Sequence, residues 1–140
     1  MKRILIVNAN YYKNISKKLV LSSKKKLSKN FKVNIINVPG IYEIPIAIRK
    51  NIKKFDGFVA LGCVIKGQTP HFDLICYSTF NSILYLSTSF NKPVGNGIIT
   101  AYNMKQALQR CKGTISNKPN KGSEAANAVM SILQNGPKKI

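Results

Sequence analysis

Residues 62–73 carry the side chains of this chain that are best suited to chemistry. The segment holds His71, the only histidine, and Asp73, one of only 4 acidic residues against 23 lysines and arginines. Imidazole exchanges protons near neutral pH without assistance, so a reaction that depends on proton transfer would use His71. A histidine close to the start of a helix is also commonly a cap or a core residue, and that reading stays open here.

The elements that position His71 follow from the spacing of apolar residues. Short apolar runs predict strands over residues 3–8, 58–65 and 93–100, and alternation of apolar and polar residues predicts a strand over 32–38. Helical spacing and breakers predict helices from about 15 to 28–30, and over 44–54, 73–89, 103–111 and 121–134, with a polar loop over 112–120. This alternation predicts one α/β domain over residues 1–140, a three-layer αβα sandwich with a four-stranded parallel, flavodoxin-like sheet.

Chemically useful residues follow the ends of these predicted strands. Ligands of parallel sheets bind beyond the carboxyl ends of the strands, so the four following loops are expected to face one cleft. They carry Tyr11, Glu43 and His71 after the first three strands, and Arg110 and Lys121 around the last loop. Gly67 precedes the third of the five helices, which predicts an anion site, because a helix N-terminus offers free N–H groups.

Each of these residues has a second reading that the sequence leaves open. Glu43 is also compatible with a local helix cap, Arg110 with a surface helix residue, and Tyr11 with core packing. Cys63, in the apolar third strand, lies close to His71 in the chain and is a candidate nucleophile. A cysteine in such a strand is more commonly a buried, inert thiol, and we expect this of Cys63.

Composition narrows the classes of partner and the compartment. The net charge of +19 first suggests nucleic acid, but only three of the 23 basic residues are arginines and no aromatic residues interleave with them. Nucleic-acid recognition is therefore disfavoured. The three cysteines are widely spaced, which argues against paired metal ligands and favours a reducing, cytoplasmic location. No apolar run approaches the roughly 20 residues of a membrane span.

The predicted helix over residues 73–89 is apolar on nearly every side. Phe72, Ile75, Cys76, Phe80, Ile83 and Leu84 are expected to fill one face, with Leu74, Tyr77, Tyr85 and Leu86 on the others. A helix of this kind lies either in the centre of a large core or against another subunit. Because 140 residues leave little room for the first arrangement, the helix predicts self-association.

Three motifs give the chain a resemblance to a known family. They are VPGIYEIP at residues 38–45, GCVIKG at 62–67 followed by Thr69, His71, Phe72 and Asp73, and NKGSEAA at 120–126. In this order they resemble 6,7-dimethyl-8-ribityllumazine synthase, over nearly the whole chain. The resemblance implies a transferase that condenses 5-amino-6-(D-ribitylamino)uracil with 3,4-dihydroxy-2-butanone 4-phosphate and releases phosphate and water. It implies no cofactor and no metal.

The resemblance also implies roles for individual residues. His71 would transfer protons as an imine forms and phosphate leaves, while most of the catalysis would come from orienting two substrates. The residues implied to bind the ribitylaminouracil are Tyr11, Ile41, Tyr42, Glu43, Cys63, Val64, Ile65 and Asn96. Asn96 is included by its position, although its residue type departs from the family pattern. The residues implied to bind the butanone phosphate are Gln68, Thr69, Arg110 and Lys121.

Three departures from the family pattern bear on these expectations. Asn96 stands where many relatives have an aromatic residue over the pyrimidine. The chain begins almost directly with its first strand, whereas relatives that build sixty-subunit shells usually carry an extra N-terminal segment. The loop between Arg110 and Lys121, which contains Pro119, is longer than usual. The second and third of these features predict a free pentamer, or a dimer of pentamers, with active sites at subunit interfaces.

Two other functions remain as alternatives at this point. A flavin- or nucleotide-binding flavodoxin-like module without catalysis would explain the anion loop, but it gives no reason for His71 and Glu43 to follow strand ends. An RNA-associated basic protein would explain the charge and nothing else.

Overall fold

The computed structural model describes residues 1–113 and 120–134, and these form a single three-layer α/β unit. Its sheet is four-stranded and parallel throughout, in the order β2-β1-β3-β4. The strands are β1 (Arg3–Ala9), β2 (Lys32–Val38), β3 (Gly57–Ile65) and β4 (Val94–Ala101). The helices are α1 (Lys13–Leu27), α2 (Ile44–Lys50), α3 (His71–Phe90), α4 (Met104–Gln109) and α5 (Lys121–Gln134), with a short 3-10 turn at Ile41–Glu43. The predicted fold class is therefore confirmed.

Two apolar layers cover the two faces of the sheet. Successive residues of a strand point to opposite faces, so Ile4 and Ile6 of β1 pack toward α1 and α5. Leu5 and Val7 pack toward α2 and α3 instead. The central strands β1 and β3 are buried on both sides, which explains their uninterrupted apolar runs.

Glycines allow helix α5 to lie directly on its neighbours. A β-carbon at Gly95 of β4 would overlap the carbonyl group of Ala125, and one at Gly122 would come within 2.5 Å of the carbonyl oxygen of Leu19. These contacts fix α5 against β4 and α1. They also fix the start of α5, where the Asn120 side chain accepts a hydrogen bond of 3.0 Å from the Ser123 N–H.

The observed boundaries differ from the prediction in a few places. The second helix ends at Lys50 rather than 54, because the chain tightens into turns that include the Asn51 side chain bonded to the Ala47 carbonyl at 2.8 Å. Helix α3 begins at His71 rather than 73. Residues 114–119 of the predicted polar loop, with Pro119, lie outside the described residues.

Helix α3 carries a large apolar surface that no described part of the chain covers. Its buried stripe is Cys76, Thr79, Ile83 and Leu86. Leu74, Tyr77, Leu84 and Tyr85 are each between 63% and 72% exposed. The prediction was therefore wrong about two leucines: Leu84 points outward and Leu86 inward, because the helix turns its buried stripe toward α2 and the sheet. Within the described ranges, no helix has the length and hydropathy needed to cross a membrane.

Candidate active site

A cavity of about 630 Å³ opens at the carboxyl edge of the sheet, where β1, β2 and β3 end. We call it the aromatic cavity. The residues predicted from the sequence that meet there are Tyr11, Ile41, Tyr42, Glu43, Cys63, Val64, Ile65 and His71. Ala9, Tyr12, Gly40 and Ile75 complete its lining. Three of the four strand-end loops therefore share one cleft, as the parallel topology predicts.

The floor of the aromatic cavity is the end of β3 together with the turn after β2. A β-carbon at Gly62 would lie 2.8 Å from the Ile41 side chain and 3.0 Å from the Ala9 side chain. Glycine at this position therefore lets the turn at Ile41–Glu43 lie directly against β3. This contact brings Ile41 close to the exposed end of the strand.

Glu43 supplies the carboxylate of the aromatic cavity. Its side chain is half-buried and folds back toward Gly40, with one carboxylate oxygen 3.4 Å from the position of a β-carbon there. Although Glu43 directly precedes α2, its side chain makes no capping hydrogen bond. The local-cap reading is therefore not supported, and the carboxylate remains available as an acceptor.

Two adjacent tyrosines form a wall of the aromatic cavity. The rings of Tyr11 and Tyr12 meet edge to face, with centroids 4.9 Å apart and planes 81° apart. Tyr11 is 74% exposed, which excludes the alternative that it packs in the core. An exposed aromatic face at the mouth of a cavity is suited to stacking on a flat ring.

Cys63 lies on the floor and is buried. Burial is the main cause that raises the pKa of its thiol to about 11, with a smaller contribution from Cys111. The nucleophilic form of cysteine is the thiolate, so this thiol is unreactive at neutral pH. The expectation that Cys63 is inert is therefore supported.

His71 is exposed at the first position of α3, and the loop before it is open. The His71 N–H donates to the Thr69 hydroxyl at 3.5 Å, and nothing lies within 4 Å of a β-carbon placed at Gly67. Gln68 and Thr69 are exposed beside the aromatic cavity without lining it. Lys66 precedes this loop, and its ammonium lies 5.2 Å from the centre of the Tyr102 ring.

The remaining predicted residues lie in a second cavity, of about 480 Å³, along the free side of β4. We call it the edge cavity. Asn96, Arg110 and Lys121 line it together with Glu124 and Phe80. The expectation that all four loops face one cleft is therefore wrong within a single chain. The physical reason is that β4 is an edge strand, so residues around it face sideways rather than toward the ends of β1 and β3.

Two basic side chains of the edge cavity, those of Arg110 and Lys121, make few contacts with the rest of the described chain. The Arg110 guanidinium is exposed and bonds only to the Gln106 carbonyl, at 2.9 Å, among the described residues. The Lys121 ammonium lies 3.9 Å from the Glu124 carboxylate. The side-chain amide oxygen of Asn96 accepts a hydrogen bond of 3.1 Å from the Ile98 N–H of its own strand.

Comparison with known proteins decides the family. The description of the matching family is 6,7-dimethyl-8-ribityllumazine synthase, and the match covers residues 1–135. The chain belongs to the 6,7-dimethyl-8-ribityllumazine synthase family. The proteins of that name from Methylorubrum populi and Bartonella henselae are 38% and 39% identical to it, over 94% and 93% of this chain and 80% and 85% of theirs. The Erythrobacter litoralis protein is 37% identical, over 96% of this chain and 95% of its own length.

Sequence reasoning gave Tyr12 and Ile75 no role in binding a substrate, although both line the aromatic cavity of this lumazine synthase family member. Tyr12 could have been found, because it shares the loop after β1 with Tyr11. Ile75 follows from helical spacing, since it lies one turn after His71 on the same face of α3. Among the described residues, no group of three or more histidines, cysteines or carboxylates is arranged to hold a metal ion.

Proposed function

We propose that this chain catalyses the condensation of 5-amino-6-(D-ribitylamino)uracil with 3,4-dihydroxy-2-butanone 4-phosphate to give 6,7-dimethyl-8-ribityllumazine, phosphate and water. Its membership of the lumazine synthase family supports this reaction. The observation that carries the proposal is the aromatic cavity, in which an exposed tyrosine, a free carboxylate and the only histidine meet at one sheet edge.

The aromatic cavity suits the ribitylaminouracil. Tyr11 stacks on the pyrimidine ring, and the Ile41 and Tyr42 turn closes over it. The carboxylate of Glu43 accepts hydrogen bonds from the ribityl hydroxyls, which are donors that an ionised carboxylate can satisfy. The end of β3, at Val64 and Ile65, offers backbone groups to the polar edge of the ring, with the inert Cys63 beneath it.

His71 serves the proton transfers. When the amine of the uracil attacks the ketone to form an imine, the nitrogen loses two protons and the former carbonyl oxygen gains two, so that it leaves as water. An imidazole at the cavity mouth is placed to move them. The remaining acceleration comes from holding the two substrates in a reactive geometry.

The butanone phosphate requires a cationic site next to the aromatic cavity. The backbone of Gln68 and Thr69, ahead of α3, supplies one side of it, because N–H groups at a helix start attract anions. Arg110 and Lys121 supply the countercharge, with Asn96 near the pyrimidine. These three residues line the edge cavity, apart from the aromatic cavity. In the proposed assembly they reach the substrates of a neighbouring subunit rather than of their own.

This arrangement requires a ring of subunits. The aromatic cavity and the edge cavity are different surfaces, so their contact is a head-to-tail interface, and such an interface forms a ring when the rotation between subunits closes. The uncovered apolar side of α3 supplies surface for that contact, consistent with the predicted pentamer or dimer of pentamers. The three cysteines are free, which fits a cytoplasmic enzyme.

The reaction is tested by mixing the purified protein with both substrates and following lumazine fluorescence. The absence of tryptophan keeps the protein background low. We expect a rate above the spontaneous condensation. A well-folded oligomer without any acceleration would contradict the proposal and would make binding of a flavin or nucleotide the leading function.

The shared site is tested by mixing two impaired variants, His71→Ala and Arg110→Ala, dissociating them and reassembling them together. If each site takes its histidine and its arginine from different subunits, about a quarter of the sites become wild type. No recovery of activity after mixing would place the two residues in sites of one subunit. Light scattering on the wild type should give a pentamer or decamer, and a particle of sixty subunits would contradict the predicted assembly.

A further inference from the structure

Tyr12 is the one polar side chain of the aromatic cavity to which the proposed reaction has assigned no role. It is half-buried, whereas its neighbour Tyr11 is 74% exposed. Its ring packs against the buried core between the sheet and helices α1 and α5. The same ring meets the Tyr11 ring edge to face at 4.9 Å. Tyr12 is therefore anchored on one side and in contact with the stacking residue on the other.

The Tyr12 hydroxyl is a hydrogen-bond donor without a partner among the described residues. It lies within electrostatic reach of the Cys63 thiol and the Tyr11 hydroxyl, and both of these groups line the same cavity. Desolvation is the main cause that raises the pKa of Tyr12 above 10.0. The phenol therefore keeps its proton at neutral pH and can donate it. A half-buried donor gains most from a partner that replaces the water it has lost.

The polar groups of the aromatic cavity have complementary preferences. Glu43, when ionised, only accepts hydrogen bonds, so it matches hydroxyl groups of a ligand. The Tyr12 phenol donates, so it matches a carbonyl oxygen or an unprotonated ring nitrogen. A ligand that satisfies both residues needs a hydroxylated chain at one end and a ring acceptor at the other.

We propose that Tyr12 is a specificity-determining residue, which donates a hydrogen bond from its hydroxyl to an acceptor atom on the pyrimidine ring and holds Tyr11 in its stacking position. This inference rests on the proposed function, because it concerns the substrate of that site. It assigns the two parts of Tyr12 separate tasks. The Tyr12 hydroxyl recognises the pyrimidine ring, and the aromatic ring of Tyr12 orients Tyr11.

Two substitutions separate these tasks. Tyr12→Phe removes only the hydroxyl and keeps the packing, whereas Tyr12→Leu removes the aromatic contact with Tyr11 as well. For Tyr12→Phe we expect the KM for the ribitylaminouracil to rise roughly 3- to 10-fold, as for one hydrogen bond between uncharged groups. The kcat and the KM for the butanone phosphate should stay within about twofold of wild type. Tyr12→Leu should raise the first KM further.

Tyr102→Phe is the matched control. Tyr102 is 68% exposed and lines neither cavity, so loss of its hydroxyl should leave both KM values unchanged. The task of the Tyr12 ring is tested by adding Tyr11→Ala to each Tyr12 variant. Tyr11→Ala should cost less in the Tyr12→Leu background than in wild type, because the orientation of Tyr11 has already been lost.

A Tyr12→Phe variant with wild-type KM for the ribitylaminouracil would overturn the inference, because a purely packing residue would not respond to loss of the hydroxyl. Equal changes in both KM values would also overturn it. Calorimetric titration of wild type and Tyr12→Phe with the ribitylaminouracil alone keeps the test independent of turnover. If the wild type binds but does not react, the proposed function fails while the Tyr12 comparison is still decided. Equal affinities, or no binding to the wild type, would overturn the inference itself.

Discussion

The aromatic cavity lies where three parallel strands end, whereas the edge cavity lies along the side of β4. Tyrosines and aliphatic residues line most of the aromatic cavity, and Glu43 and His71 are its two ionisable residues with a proposed role in the reaction. Arg110 and Lys121 give the second its cationic character. The first is suited to a flat ring with a hydroxylated chain, and the second is suited to an anion.

Under the proposed function, these two cavities are dissimilar halves of one site. The substrates of the proposed reaction divide in the same way, into an uncharged pyrimidine and a phosphate ester. In the proposed assembly, subunit contact does more than add stability, because a neighbouring subunit would bring Arg110 to the substrates held near His71. Variants in each cavity should accordingly affect different substrates, and the following predictions run from the largest expected effect to the smallest.

Arg110→Ala should give the largest change. We expect the KM for the butanone phosphate to rise about 30- to 100-fold, since a hydrogen bond to a charged group contributes about 1.5–3 kcal/mol. The KM for the ribitylaminouracil should change little. Steady-state lumazine fluorescence with one substrate varied at a time measures both values.

Arg49→Ala is the control for Arg110. The Arg49 guanidinium lies 4.7 Å from the centre of the Phe90 ring, and Arg49 lines neither cavity. Its removal lowers the chain's charge equally and should leave both KM values unchanged. Similar effects of the two variants would mean that total charge, not the edge cavity, attracts the phosphate.

His71→Ala should lower kcat about tenfold with little change in either KM. This is less than a general acid often contributes, because orientation of the two substrates is expected to supply most of the acceleration. Single-turnover rates at saturating substrate concentrations measure the effect. A wild-type rate would remove His71 from the proton transfers and leave the aromatic cavity as a binding site only.

Glu43→Gln should affect binding of the ribitylaminouracil, whereas Arg110→Ala affects binding of the butanone phosphate. We expect the KM for the ribitylaminouracil to rise about fivefold, because an amide is a weaker acceptor for the ribityl hydroxyls than a carboxylate. Asp56→Asn is the matched control, since its carboxylate bonds to the Arg3 N–H at 2.7 Å and lines neither cavity. A change in the KM for the butanone phosphate in Glu43→Gln would contradict the division between the cavities.

Cys63 should produce the smallest effect, on stability rather than rate. Its pKa is raised from 9.0 to about 11, so between these pH values the unfolded chain loses the proton and the folded chain keeps it. The stabilisation is present below pH 9 and is lost as the pH rises toward 11. Urea unfolding should show that wild type loses roughly 1 kcal/mol more than Cys63→Ala between pH 8 and 10. Identical pH dependence in the two proteins would contradict a buried thiol at the cavity floor.

The residues of the aromatic cavity could be predicted because the end of a strand is recognisable from the local sequence. An apolar run followed by Tyr11 or by Glu43 already places each residue at the carboxyl edge of a parallel sheet. The edge cavity depends on the order of the strands, which no single segment of sequence encodes. Asn96 lies within a strand, and only the position of β4 at the side of the sheet directs it away from the other loops.

The side of α3 that faces the core could not be predicted from the sequence, for a related reason. The helix is apolar on so many sides that its periodicity does not distinguish Leu84 from Leu86. Packing against α2 and the sheet determines which of the two leucines is buried: Leu86 is buried and Leu84 is exposed. Tyr12 received no role of its own because two adjacent tyrosines give no indication of which one contacts the core.

The hydrogen bond within β4 has a consequence for solubility. An edge strand normally presents N–H groups that another chain can bind, which is how sheets aggregate. The Asn96 side chain occupies the Ile98 N–H, so a foreign strand would have to break this bond in order to pair at that point. The edge of β4 is thereby less able to recruit a chain at random. In the proposed assembly, where this surface meets one particular neighbour, the bond disfavours strand pairing with a wrong chain.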